Sequence, residues 1–442
     1  MNKHPGIWFD CWVLMIMTGL GVSYVIPALS QEPKPTESPT IQTLIQKVAS
    51  KDLNAAEGFW GRVQVSSSPF VESMPSKRDY SLVTFLWHGD KNTHNVVVIS
   101  PLALVNFAGA EMKQIPETDV WYLSYVMRND AQMVYRFSPN DTLVPFEAEP
   151  NFYARMANFR RDPLNTKTFD YGNNILASVL ELPDAPSEKW THVRGDIPHG
   201  TLKSSKVSSA ILKNDLAVWL YTPPNFVANN NYPLLVVMDG DSYTSLVPVP
   251  TILDNLIYEG KIPPAVALFI GNSSPQARDN ELNCADVWGD FLAKEVIPWV
   301  ASAMNVRVKT KGVVIAGSSM GGLAAACAAY QHPETFGKVL AQSGSFYRAQ
   351  SDGEPEWLAR QFVQSKQLPL DFYLEVGLLE TSSIPSRDPS MLTSSRHLRD
   401  VLLAKGYRVD YHEHFSGHEH LAWRATFGEG LIELLSDARN RP

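Results

Sequence analysis

Gly317-Ser318-Ser319-Met320-Gly321 is a G-x-S-x-G pentapeptide, preceded by the apolar run Gly312-Val-Val-Ile-Ala316 and followed by the small-residue run Gly322–Tyr330. A buried strand, a sharp turn and a helix form the context in which a serine hydroxyl is lifted onto an exposed tip as a nucleophile. The flanking glycines let the backbone turn tightly and let the helix approach the strand. The helix N-terminus would aim N–H groups and positive dipole at an oxyanion, with the Met320 N–H as one donor.

Such a serine needs a base and an acid, in the chain order Ser, acid, His. The downstream histidines are His332, His397, His412, His414, His418 and His420. His332 heads a turn and His397 lies mid-helix, whereas His412 and His414 alternate along the last strand. His418, in Ser416-Gly417-His418-Glu419, stands directly after that strand, where a loop carries the base back over a sheet. The acid should follow the preceding strand Phe372–Val376, which selects Glu380 in Gly377-Leu-Leu-Glu380, with Asp388 as the alternative. It would hold the imidazole tautomer and stabilise the imidazolium. The second oxyanion donor is expected after the strand Leu234–Met238, where Gly240 would let the Asp241 N–H enter the pocket. Two H-x-H pairs also admit a metal reading, but no distant ligands accompany them. No metal and no cofactor are expected.

The elements that position these groups are legible as alternating strands and helices from about Ser204. Strands are expected at Leu216–Tyr221, Leu234–Met238, Ala265–Ile270, Gly312–Ala316, Lys338–Gln342, Phe372–Val376 and Arg408–His414. Asp286–Val300 reads as an amphipathic helix with Trp288, Phe291, Leu292, Val296 and Trp299 inward. This alternation predicts an α/β-hydrolase domain over 204–440 with a mostly parallel sheet. Residues 54–185 carry short β-runs broken by turns, such as Leu82–Trp87, Asn95–Ser100 and Val120–Val126, and read as an all-β sandwich. Residues 31–53 read as a linker. Residues 1–30 combine Lys3, an apolar stretch from Cys11 to Leu29 and the small-x-small site Ala28-Leu29-Ser30, an export signal or a retained inner-membrane anchor.

Lys+Arg 38 against Asp+Glu 46 gives a net charge of −8, opposite to the clustered positive charge of an electrostatic nucleic-acid binder. With 44% hydrophobic residues the chain can build a sizeable core, which excludes a largely disordered protein. Three cysteines are too few for a disulfide scaffold. Cys327 lies in the small-residue run of a packed helix, so Cys284 and Cys327 are expected as free, partly buried thiols.

The chain resembles the enterochelin (ferric enterobactin) esterase family over nearly all of the expected mature length. The stretches that carry the resemblance are Val237-Met-Asp-Gly240, Arg278-Asp-Asn-Glu-Leu282, Ala316–Gly322, His332-Pro-Glu-Thr-Phe336, Ser343-Gly-Ser-Phe346, Glu375–Glu380 and Gly417–Trp423. In the β half they are Ile115–Trp121, Asp162-Pro-Leu-Asn165 and Leu180–Pro186. The resemblance implies hydrolysis of the trilactone esters of a catecholate siderophore, with Ser319, Glu380 and His418 as the triad. It further implies that Arg278 contacts the anionic ferric complex and that Trp423 flanks the pocket. The family's Gly-Gly-His-Asp stands here as Ser416-Gly417-His418-Glu419. The export segment points to a periplasmic location, which leaves an alternative: an exported feruloyl or acetyl carbohydrate esterase. Its β domain would bind glycan through an aromatic platform of Trp60, Trp87 and Trp121, residues that also suit a sandwich core.

Overall fold

The computed structural model describes residues 37–66, 68–308, 312–350, 353–382 and 388–436. The export segment expected at 1–30 lies outside them. The chain divides into two compact units, Met1–Pro183 and Asp184–Pro442.

The first unit holds two four-stranded antiparallel sheets. One runs in the order Phe70–Ser73, Tyr80–His88, Val120–Arg128, Lys113–Gln114; the other runs Val96–Ile99, Gln132–Pro139, Leu176–Glu181, Thr168–Asp170. Side chains alternate across a strand, so Phe85 and Trp87 point to the opposite sheet. There they meet Tyr135 and Phe137 with ring centroids 4.9 and 5.3 Å apart. Leu86, Val120 and Tyr122 point the other way, onto two helices, Pro39–Ala49 and Ala55–Ser66. Two helices therefore pack on the β-sandwich, the first of them within the stretch 31–53 expected as a linker. Ser38 caps the first helix by accepting from the Ile41 N–H at 3.2 Å, and Ile41 and Leu44 are buried. The Pro/Thr-rich approach to this helix hides an apolar spacing of only about three turns, too short to stand out. Trp60 and Trp121 are buried, and Trp60 donates to Asp119 at 2.9 Å. The three tryptophans form no exposed platform, which removes the feature that motivated a glycan-binding module.

The second unit is built on eight strands: β1 (Thr201–Ser209), β2 (Asn214–Thr222), β3 (Leu234–Val237), β4 (Val266–Ile270), β5 (Val313–Ser318), β6 (Phe336–Gln342), β7 (Asp371–Gly377) and β8 (Arg408–His414). Their spatial order is β8-β7-β6-β5-β3-β4-β2-β1. The six strands from β8 to β4 are parallel, and β2 and β1 are antiparallel. β3 and β5 are fully buried, as strands covered on both faces must be. β1 was not expected from the sequence. It is an edge strand whose first six residues are all exposed, so it carries no apolar alternation to read.

The helices used below are α1 (Gly240–Tyr243), α2 (Val249–Tyr258), α3 (Pro275–Glu281), α4 (Met320–Gln331), α5 (Met391–Ala404) and α6 (His420–Leu435). The stretch expected as one amphipathic helix is instead interrupted by a π-helical turn, Phe291–Val296, with Trp288, Phe291, Leu292 and Val296 buried and Trp299 only partly so. Glu295 in that turn accepts from Ser209 Oγ at 2.5 Å and from the Ala210 N–H at 3.0 Å, tying it to the β1–β2 hairpin. The segment from Asp184 packs into this unit: Trp190 joins its core and donates to Glu259 at 3.0 Å.

Cys284 and Cys327 are joined in a disulfide, not left as free thiols. The small residues of α4 bury Cys327, and the short side chains leave space for the loop carrying Cys284 to approach the helix. The bridge connects segments 43 residues apart.

Candidate active site

Ser319 occupies the turn between β5 and α4 with φ 56° and ψ −124°, a conformation that costs a non-glycine residue energy and persists only when its surroundings enforce it. They do so from several sides. The Ser319 N–H donates to Gln342 O at 3.0 Å, and Ser319 O accepts from the Ser345 N–H at 2.9 Å. A Cβ on Gly317 would come within 2.6 Å of the Gly321 backbone, and one on Gly321 within 2.9 Å of Asp239 Oδ2. Both glycines are thus steric requirements of the elbow. Met320 opens α4, so its N–H has no acceptor within the helix. Ser345 Oγ lies 3.5 Å from Ser319 Oγ.

Glu380 and His418 meet as expected. Glu380 Oε2 lies 3.2 Å from His418 Nδ1, across 38 residues of chain. Glu380 reaches there because β7 ends at Gly377 and the chain turns at once, with the Glu380 N–H donating to Gly377 O at 3.1 Å. Its other oxygen accepts from Ser343 Oγ at 2.5 Å and from the Gly377 N–H at 3.1 Å. Asp388, the alternative acid, is exposed.

Asp241 lies in α1, directly after β3. The turn begins at Asp239, which takes a left-handed φ of 52°. A Cβ on Gly240 would come within 2.8 Å of the Phe269–Ile270 backbone, so only glycine lets the loop lie against β4. Arg278 lies on α3. It is 7% exposed and donates from Nε and Nη2 to the two oxygens of Asp239, both at 2.7 Å. Asn272 Nδ2 adds a third donor to Asp239 at 2.7 Å. Burial would raise the Asp239 pKa, but Arg278, the Asn272 hydrogen bond and His420 together outweigh it and hold the carboxyl below the usual range. Where a contact with an anionic ligand is expected, the structure places the Arg278 charge against Asp239, a residue far from it in sequence. Asp239 lay in the Val237–Gly240 motif with no charge partner legible nearby.

Trp423, expected to flank the pocket, is 4% exposed and packs beside the base. Its Nε1–H donates to Ser343 Oγ at 3.0 Å, and its ring meets His418 edge to face with centroids 4.9 Å apart. Ser343 is the residue that sequence reasoning missed, although it opens the quoted Ser343–Phe346 motif just after β6.

Two buried titratable groups lie beside the site. Glu375, in β7, is pushed up to about 7 by burial, although Thr426 and Gln342 donate to it at 2.6 and 2.7 Å. His420 is pushed down to about 4 by burial, with His418 adding to the effect. Of the other downstream histidines, His332 lies with Asp290 at 3.0 Å, His397 with Glu356 at 2.8 Å and His412 with Asp410 at 3.0 Å, whereas His414 Nε2 stands 3.9 Å from Glu375 Oε2. Among the described residues, no group of three His, Cys, Asp or Glu side chains is placed to hold a metal ion.

Comparison with known proteins identifies the family. Residues 209–434 match the family model described as "Putative esterase", and residues 82–191 match "Enterochelin esterase, N-terminal". The iron(III) enterobactin esterase of Escherichia coli O6:H1 is 28% identical over 374 residues, covering 80% of this chain and 90% of the relative. The iron(III) salmochelin esterase of the same organism is 25% identical over 415 residues, covering 88% and 96%. The crystal structure of ferric enterobactin esterase from Salmonella typhimurium superposes with a TM-score of 0.71 at 25% identity, covering 86% of this chain and 98% of that one. That of the Shigella flexneri enterobactin esterase, determined in the presence of enterobactin, gives 0.67 at 26%, covering 84% and 96%.

Proposed function

We propose, from the premise that this chain belongs to the esterase family in its enterochelin esterase form, that it hydrolyses the trilactone esters of a catecholate siderophore and so releases iron. That it is a carboxylic ester hydrolase follows from the family; the substrate and the serine mechanism are our reading. One observation carries it: a strained Ser319 elbow and a Glu380–His418 pair in a unit joined to an enterochelin esterase N-terminal domain.

In this mechanism Ser319 Oγ attacks the lactone carbonyl while His418 Nε2 takes its proton, and Glu380 steadies the imidazolium through Nδ1. The carbonyl electron pair moves onto oxygen, where the N–H groups of Met320 and Asp241 receive the charge. As the tetrahedral species collapses, the ester C–O bond breaks and His418 returns the proton to the departing alcohol. Water then attacks the acyl-serine by the same route and restores Ser319. The step needs no metal from the protein; ferric iron enters only as cargo of the substrate.

Turnover of ferric and iron-free enterobactin, its linear forms, feruloyl sugars and p-nitrophenyl esters by wild type and Ser319→Ala tests this reading. Hydrolysis of the trilactone that vanishes in Ser319→Ala is the expected result. Good rates on feruloyl or acetyl sugars with none on any catecholate lactone would overturn the substrate.

We further propose that the protein acts outside the cytoplasm, in the periplasm, soluble or held to the inner membrane by residues 1–30. The Cys284–Cys327 bridge supports this, because structural disulfides persist mainly in oxidising compartments. A fusion of residues 1–40 to a reporter active only after export should be active; an inactive fusion would return the protein to the cytoplasm.

A further inference from the structure

Ser343 is buried just beyond β6 at a left-handed φ of 47°, and its N–H donates to Glu375 O at 2.7 Å, which pins this turn to β7. Its hydroxyl stands between two groups of fixed polarity. Trp423 Nε1 can only donate, and it lies 3.0 Å from Ser343 Oγ; the Glu380 carboxylate accepts, and its Oε1 lies 2.5 Å away. The single hydroxyl proton is therefore directed at Glu380. Gly377 N–H donates to the same oxygen, and no larger residue fits there, since a Cβ would come within 2.4 Å of Ser416 O and 3.0 Å of that oxygen. With Oε1 held by two donors, Oε2 is turned to His418 Nδ1. Trp423 also sets its ring at 90° against the His418 imidazole. One indole thus touches the base directly and the acid through one serine.

We infer that Ser343, backed by Trp423, is a positioning residue that fixes the rotation of the Glu380 carboxylate toward His418. This rests on the serine-esterase reading above. A serine buried only to fill space would act on stability alone; one that acts through Glu380 must lose its effect when Glu380 can no longer play its part.

The test is a double-mutant cycle on a p-nitrophenyl ester, with folding followed by circular dichroism. Ser343→Ala should lower kcat roughly 10- to 100-fold with KM little changed, by analogy with outer-shell partners that orient metal ligands. In a Glu380→Gln background the same change should cost almost nothing. An equal loss in both backgrounds, or a wild-type kcat for Ser343→Ala, would overturn the inference. If Ser343→Ala does not fold, Trp423→Phe, which keeps the ring and deletes the indole N–H, is put through the same cycle under the same criterion. Ser319→Ala separates the two ideas: activity surviving in it sinks the serine reading, whereas an inactive Ser319→Ala beside a fully active Ser343→Ala sinks only the relay.

Discussion

Arg278 and Asp239 are joined by two 2.7 Å hydrogen bonds in the interior of the catalytic unit, directly before the loop that carries Asp241. A fork-to-carboxylate pair of this kind is rigid, and in a buried setting each partner depends on the other. The pair ties α3 to the end of β3, and Asp239 Oδ2 also backs Gly321 of the elbow.

Arg278→Ala should therefore destabilise the protein by about 3–5 kcal/mol, because it leaves the Asp239 charge buried without its cation. Asp239 holds its carboxyl below the usual range, so this contribution is present above the unfolded-state pKa and is lost as pH falls through the lower folded-state value. Urea denaturation measures the loss. The kcat/KM values for a ferric catecholate and for a neutral p-nitrophenyl ester should fall together. A rise in KM confined to the catecholate would show instead that Arg278 contacts the ligand.

Glu375 and His420 give the stability opposite slopes with pH. Folded Glu375 keeps its proton up to about 7, whereas the unfolded chain releases it above about 4.5, so its contribution weakens as pH rises across that window. Folded His420 stays neutral down to about 4, whereas the unfolded chain takes up a proton below about 6.5, so its contribution weakens as pH falls. Relative to wild type, stability of Glu375→Gln should rise with pH between 4.5 and 6.5, and that of His420→Gln should fall. Each difference is bounded by about 1.4 kcal/mol per pH unit, the value for one proton. Denaturation midpoints at three pH values decide it; parallel profiles would refute both assignments.

Glu380→Gln should reduce kcat on the order of 10⁴-fold, since the amide cannot hold the imidazole in the required tautomer. Asp388→Asn should leave kcat unchanged. Steady-state kinetics on both variants separates the two acids, and the reverse ranking would move the triad acid to Asp388.

Breaking the Cys284–Cys327 bridge reopens a loop of 43 residues, for which chain entropy gives about 4 kcal/mol of lost stability. Cys284→Ser should show this in urea, and dithiothreitol should lower the Tm of wild type but not of the variant. A wild-type Tm indifferent to reductant would mean that the bridge does not form in solution.

The chemistry at Ser319 was legible in the sequence because a nucleophile elbow is local. Strand, turn and helix lie within some twenty residues, and Gly317 is demanded by the Gly321 backbone close to it in the chain, although Gly321 itself is demanded by Asp239 and Met238 from a distant strand end. His418 and Glu380 followed from the same logic, each standing just past a strand that ends at the same edge of the sheet. The proposal of export rests on the sequence of residues 1–30, which lie outside the described residues. The partner of Arg278 could not, because the nearby acids Asp279 and Glu281 sit on its own helix while the true partner stands 39 residues earlier. The same holds for the Cys284–Cys327 bridge across 43 residues, and for Trp423, which meets Ser343 across 80. β1 stayed hidden because an exposed edge strand buries almost nothing and so leaves no alternation. Motif spacing records which groups follow which strand; only packing decides which side chains, remote in the chain, share the interior and so which charge or hydrogen bond each has left to offer a substrate.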